Sequence, residues 1–258
     1  MAIDLNQLGL IYYPNSRCIA YLDALRELGI GLKEIIVLSG PFAQQSELVQ
    51  ESIAHGYDKY YDCSYTLEDY LHHYSPCVYR LDTQSVNHPE VRRTLESSQC
   101  MTWLFGGGGI LKPALFQLSK DFIHIHPGII PNYRGSTCWY YSLLEQGNVG
   151  ATAFYMTPEI DDGEILASQR FVPNVNVESS QVLFMDHILD PFIRASVLKL
   201  LLRGDALTSP RSQASDQEFY PYFVAHTVLR LLATQKLNRT FDPNKTIGII
   251  PKESFHEP

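Results

Sequence analysis

His124 and His126 stand one residue apart in HIHPGIIPNYRGS, residues 124–136. On an extended strand, residues i and i+2 point to one face, so both imidazoles look the same way. Pro127 biases His126 toward extended backbone and stops the strand there. Imidazoles change charge near neutral pH, so the pair suits proton transfer or hydrogen-bond donation. Packing beneath the following loop is the plainer use of two such rings. HxH is also a metal spacing, but a zinc site needs at least a third ligand, which Asp161 or Asp162 could supply. There is no HxxxH and no close cysteine pair, so no metal is expected.

Two other segments carry side chains or backbone suited to a ligand. GGGG, residues 106–109, follows an apolar run. Glycines let a ligand approach the backbone and permit positive φ. No GxGxxG opens a long helix at the first strand and no GK[ST] follows, so neither the dinucleotide fingerprint nor the P-loop applies. Four glycines in succession exceed the needs of a tight turn and point to a bound flat ligand. EIDDGEIL, residues 159–166, places Asp161 and Asp162 at a turn between two strand-like runs. An Asp-Gly hairpin turn alone would explain it. A carboxylate brought back to His126 would orient the ring and raise its pKa.

These segments need a scaffold, and the flanking sequence supplies an α/β pattern. LGLIYY (8–13) and EIIVLSG (34–40) read as strands. Between them SRCIAYLDALRELG reads as a helix from Ser16, its N-cap candidate, to Gly29, with Ile19, Leu22, Leu25 and Leu28 on one face. That β-α-β unit implies a parallel sheet. Residues 41–75 carry one or two helices, and 77–81 a strand. HPEVRRTLESS (88–98) reads as a helix with Pro89 in its first turn. A strand runs into the glycines, PALFQLSK is a short helix and FIHIHP a strand. TCWYYSLLEQGN is a helix, and GATAFYM and EILASQRFV are strands around the Asp161 turn. A long amphipathic helix fills 179–204, bent near Pro191. From Asp205 the chain turns polar, apart from a final helix over 221–235, and ends in a loose tail. That last helix packs on the core, a homodimer face being its alternative use. The expected fold is α/β: a Rossmann-like, mostly parallel sheet flanked by helices, with a smaller C-terminal helical and irregular annex. The expected division is 1–204 and 205–258.

The chain has 258 residues, 45% of them hydrophobic, enough for a sizeable core. No run approaches the ~18 apolar residues of a membrane helix, and the first residues do not read as a secretory signal. Five scattered cysteines read as reduced thiols, so a cytoplasmic setting is expected. The net charge of −8, without a basic cluster, argues against nucleic acid as a partner and leaves a small molecule.

The ordered set of segments resembles the folate-dependent formyltransferase family. It comprises a GG-IL turn after a strand, HPGIIPNYRG, a helix, GAT, and IDDG with Asp161 35 residues beyond His126. The resemblance covers about residues 101–172. It implies a formyl transfer from N10-formyltetrahydrofolate to an amine. It gives His126 the place of the family histidine and Asp161 that of the family aspartate. His124 stands where the family has an asparagine, whose amide donates to the developing oxyanion; an imidazole N–H could do so too. The resemblance also places the folate against Gly107, Gly108, Gly109, Ile110 and Leu111 and the loop of Met156, Thr157 and Ile160. Arg134 is then a candidate for a phosphate or carboxylate of the acceptor, with Trp139 and Tyr140 lining its cleft. Chain length and charge favour a nucleotide-linked amino sugar over tRNA as acceptor. A formyl-tetrahydrofolate hydrolase, a non-catalytic folate binder and a metal-dependent hydrolase are the competing readings.

Overall fold

The computed structural model describes residues 3–178, 181, 183–204, 213 and 221–252. In β1, Leu8–Tyr12, side chains alternate between two apolar layers. Leu8, Leu10 and Tyr12 join the cluster on one face of the sheet, and Ile11 joins the cluster on the other. A strand buried on both faces belongs in the middle of a parallel sheet. β1 indeed pairs in parallel with β2 (Glu34–Leu38) and β4 (Thr102–Phe105). β3 (Cys77–Leu81) extends β2, and β5 (Asp121–His126) pairs in parallel with β4. Beyond β5 the sheet turns antiparallel through β6 (Val149–Tyr155), β7 (Ile165–Asn174) and β8 (Gly248–Pro251). The order is β3-β2-β1-β4-β5-β6-β7-β8.

Helices cover both faces. On one lie α1 (Ser16–Glu27), α2 (Gln45–His55), α3 (Leu67–Tyr74), α6 (Cys138–Gln146), α7 (Asp190–Leu202) and α8 (Thr227–Thr240). On the other, α4 (Pro89–Ser97) and α5 (Pro113–Phe116) cover Trp103, Phe105 and Phe122. The chain is thus a mostly parallel α/β sheet flanked by helices. Among the described residues, no helix is long and apolar enough to cross a membrane. All five cysteines are free thiols.

Four local expectations change. The N-cap of α1 is Asn15, whose Oδ1 accepts the Cys18 N–H at 2.8 Å, so Ser16 is already helical. The long helix before Gly204 is described from Leu183 and opens with a π-helical turn, Phe184–Leu189. Pro191 sits in the first turn of α7, where its missing N–H removes no needed bond. Residues 221–226 are extended rather than helical, and His226 caps α8 by accepting from the Val228 N–H. The tail is not loose over its described part. β8 closes the sheet on β7, and Asn174 Nδ2 donates to Asp242 O and Thr246 O, both at 3.0 Å, tying its approach. The polar stretch expected over 205–220 lies, apart from Gln213, outside the described residues.

Candidate active site

β5 delivers His124 and His126 to the carboxyl end of the sheet's parallel half, where open α/β sheets bind ligands. The turn between β6 and β7 brings Asp161 back to them. Gly163 makes that possible: a Cβ there would lie 1.4 Å from Tyr155 O, so only glycine lets the turn fold against β6. Tyr155 N–H donates to Glu164 O at 3.0 Å and closes the turn. Asp161 itself takes φ +53°, a left-handed conformation that aspartate tolerates better than most residues.

His126 is 2% exposed. Its Nδ1 lies 3.4 Å from Asp161 Oδ2, and its Nε2 donates to Tyr133 O at 2.8 Å. Asp161 Oδ2 also accepts the Gly135 N–H at 2.8 Å. Burial works to raise the Asp161 pKa, but the His126 hydrogen bond and charge, with the Gly135 N–H, outweigh it and hold it at about 2. The histidine, the carboxylate and the 133–135 loop are therefore one hydrogen-bonded unit.

His124 sits differently. It is half-buried between the rings of Phe105 and Phe154, at 5.8 and 6.0 Å. Its Nδ1 faces Phe105 O at 3.5 Å, and no described residue meets its Nε2. Burial, then the charges of Arg194 and Arg17, hold its pKa well below the ordinary histidine value, so the ring is neutral at pH 7. Arg194 reaches beneath β5 from α7, donating to Ile125 O and, through Nε, to Asp190 at 2.8 Å.

The glycine loop is held from behind by the start of α1. Arg17 Nη1 donates to Gly107 O at 2.7 Å and Asn15 Nδ2 to Gly106 O at 3.3 Å. A Cβ on Gly107 would overlap the Tyr13 ring, whereas Gly108 and Gly109 have nothing within 4 Å of that position. Leu111 and Met156 belong to one buried cluster with Phe105 and Phe122, and Met156 N–H donates to Phe122 O at 2.7 Å. The glycine loop and the 156–161 loop therefore pack on one cluster, through Leu111 and Met156. Ile110 and Ile160 are 63% and 52% exposed next to it. Thr157 Oγ1 donates within its own loop to Glu159 O at 3.3 Å. Bare backbone at Gly108 and Gly109, with exposed apolar Ile110 and Ile160, fits a flat heteroaromatic ring. Gly107 packs against the Tyr13 ring, Leu111 is buried and Met156 is partly buried.

The expected acceptor side is changed by packing. Trp139 and Tyr140 are each 2% exposed, and Tyr140 Oη donates to Asp186, which also pairs with Arg230. They stabilise α6 against the core and line no open cleft. Arg134 does meet a carboxylate, but it is the chain's own Asp162, at 2.7 Å, with Gln213 Oε1 at 2.7 Å as well. Asn15, Arg17, Asp190 and Arg194 were not singled out by sequence. Only the Asp190–Arg194 spacing, i to i+4 on a helix, signals a pair; nothing local signals that Arg17 reaches Gly107. Among the described residues, no group of three His, Cys, Asp or Glu side chains is arranged to hold a metal ion.

Comparison with known proteins adds the decisive observation. The formyl transferase family model matches residues 45–190, more than half of the chain. This chain belongs to the formyl transferase family. The methionyl-tRNA formyltransferase of Listeria innocua is 25% identical over 185 residues, which cover 60% of this chain and 58% of the relative. The chain spans about half the length of the curated relatives it matches. A sugar N-formyltransferase from a Shewanella species superposes with a TM-score of 0.51 at 15% identity, covering 90% of this chain and 87% of that one. Glycinamide ribonucleotide transformylase 1 from Symbiobacterium toebii gives 0.50 at 16% identity, with 82% and 94% covered. At such identities the formyl transferases share the fold with this chain, and the acceptor is a separate question.

Proposed function

We propose that this chain transfers a formyl group from N10-formyltetrahydrofolate to a primary amine of a small substrate, a nucleotide-linked amino sugar being the leading acceptor. One observation carries the reading: His124, His126 and Asp161 converge at the end of β5, beside bare glycine backbone. The donor supplies the formyl carbon and the nitrogen that leaves it. The rest falls to the chain's own residues. Gly108, Gly109, Ile110 and Ile160 offer the donor a flat surface, and Gly107, Leu111, Met156 and Thr157 fix its shape. An imidazole takes a proton from the attacking amine and hands it to the leaving donor nitrogen, and Asp161 fixes His126. Arg134 at the rim would receive an acidic part of the acceptor in exchange for Asp162. The net charge of −8 favours a small acceptor over a long polyanion. Residues 1–204 would form the catalytic body and 205–258 the annex that completes its sheet.

The test mixes purified protein with N10-formyltetrahydrofolate and a panel of nucleotide-linked amino sugars. Acceptor-dependent release of tetrahydrofolate, with a mass gain of one formyl group on the sugar nucleotide, is expected. Release that ignores the acceptor would replace the transferase with a hydrolase. Donor binding without release would leave a binding protein.

A further inference from the structure

Two histidines reach the same end of β5, and their ring nitrogens have unequal surroundings. A carbonyl or a carboxylate oxygen only accepts. His126 has one on each side: Tyr133 O at 2.8 Å from Nε2 and Asp161 Oδ2 at 3.4 Å from Nδ1. Both nitrogens therefore point into protein, and the side chain is 2% exposed. His126 has no nitrogen left to offer an amine. His124 has one. Its Nδ1 faces the acceptor Phe105 O, so the neutral ring carries its hydrogen there and presents an unprotonated Nε2, which no described residue meets.

We infer that His124, rather than His126, exchanges the proton during formyl transfer, and that His126 with Asp161 is a positioning unit. This rests on the formyl-transfer reading above. As the amine nitrogen bonds to the formyl carbon, His124 Nε2 takes one of its protons. As the carbon's bond to the donor nitrogen breaks, the same proton passes from Nε2 to that nitrogen, and His124 ends as it began. Burial and the charges of Arg194 from α7, Arg17 from α1 and His126 along β5 keep its ring neutral between turnovers, against the opposing pull of Asp161 from the β6–β7 turn. A basicity below the usual histidine value suffices, because a nitrogen bonded to the tetrahedral carbon is a stronger acid than a free ammonium. Meanwhile the His126–Asp161 unit ties three segments together. Asp161 holds the Gly135 N–H and His126 holds Tyr133 O, so the 133–135 loop cannot move independently of β5.

The direct test is nitrogen NMR of protein carrying 15N-labelled histidine, near neutral pH, alone and with 5-formyltetrahydrofolate as probe. The expected spectra show His126 carrying a hydrogen on Nε2 and His124 protonated on Nδ1 only. A hydrogen on His124 Nε2, or a bare Nε2 on His126, would overturn the inference. This reading of the rings stands whether or not any amine is formylated, so its failure is distinct from failure of the proposed activity. With an active acceptor, His124→Asn is expected to lower kcat by ~10²-fold or more, although asparagine also donates. His126→Asn is expected to keep the acid limb of the pH profile, and His124→Asn to abolish it. An acid limb that survives in His124→Asn and vanishes in His126→Asn would return the proton to His126.

Discussion

Around Gly108 the space a Cβ would take is open, whereas a Cβ on Gly163 would strike a backbone carbonyl at 1.4 Å. The two loops flank the same histidines, and the glycine loop is held at its carbonyls: Gly106 O by Asn15 and Cys18, Gly107 O by Arg17 and Ile110 O by Asn87. The acidic loop is filled from within, by Gly135, His126 and Arg134 on its two aspartates. One loop keeps room for a ligand; the other spends its polar groups on itself. A row of like-looking glycines can therefore serve opposite ends, and only the neighbouring atoms tell them apart.

The sharpest way to break this comparison is to add side chains to both loops. Gly163→Ala should cost about 3 kcal/mol or more in urea unfolding, because its obstacle is backbone that cannot rotate away. Gly108→Trp should leave the unfolding midpoint nearly unchanged and remove calorimetric binding of 5-formyltetrahydrofolate. Equal stability losses at the two positions would erase the distinction.

Asp161→Asn probes the filled loop at a smaller scale. A folded pKa of about 2 against an ordinary value of 3.8 contributes about 2 kcal/mol at neutral pH. The sign is that of a depressed acid: the contribution is complete above the unfolded value and is lost as pH falls toward 2. Wild type and Asp161→Asn should therefore differ in urea stability at neutral pH and converge in acid. A constant gap would mean the loss is one of shape rather than charge.

His124 titrates in the opposite sense. Its depressed pKa means that, below about pH 6.5, the unfolded chain binds a proton the folded chain does not. Stability should rise with pH up to that value, and His124→Asn should flatten the rise. The smallest effect is expected at Arg134, whose pairing with Asp162 is half open to solvent. Arg134→Ala should change stability by less than about 1 kcal/mol. A larger change would make the outer pair part of the filled loop's support.

Much of this was legible in the sequence because it rests on local patterns. The strand and helix run from Leu8 to Phe171 and the paired histidines on one face follow from periodicity, proline and glycine placement, whereas the pairing of Asp161 with His126 came from the family resemblance. What was not legible depends on long-range contact. Nothing near Tyr222 announces that its backbone N–H donates to Arg134 O at 2.8 Å, so an apolar, helix-like stretch stays extended. Trp139 and Tyr140 look the same in sequence whether they line a cleft or fill a core; burial decides. The sequence also places two histidines side by side without saying that Tyr133 and Asp161 occupy both nitrogens of one.

The short strand β8 has a consequence for how copies of this chain meet one another. A sheet's outermost strand presents unpaired backbone groups that a neighbouring molecule can extend. Without β8, that role would fall to β7, ten residues long. β8 replaces it with four residues ending at Pro251, which has no N–H to give, followed by the charged Lys252. The far end of the sheet is thereby capped against runaway edge-to-edge growth, and the segment expected to be a loose tail acts as its stopper.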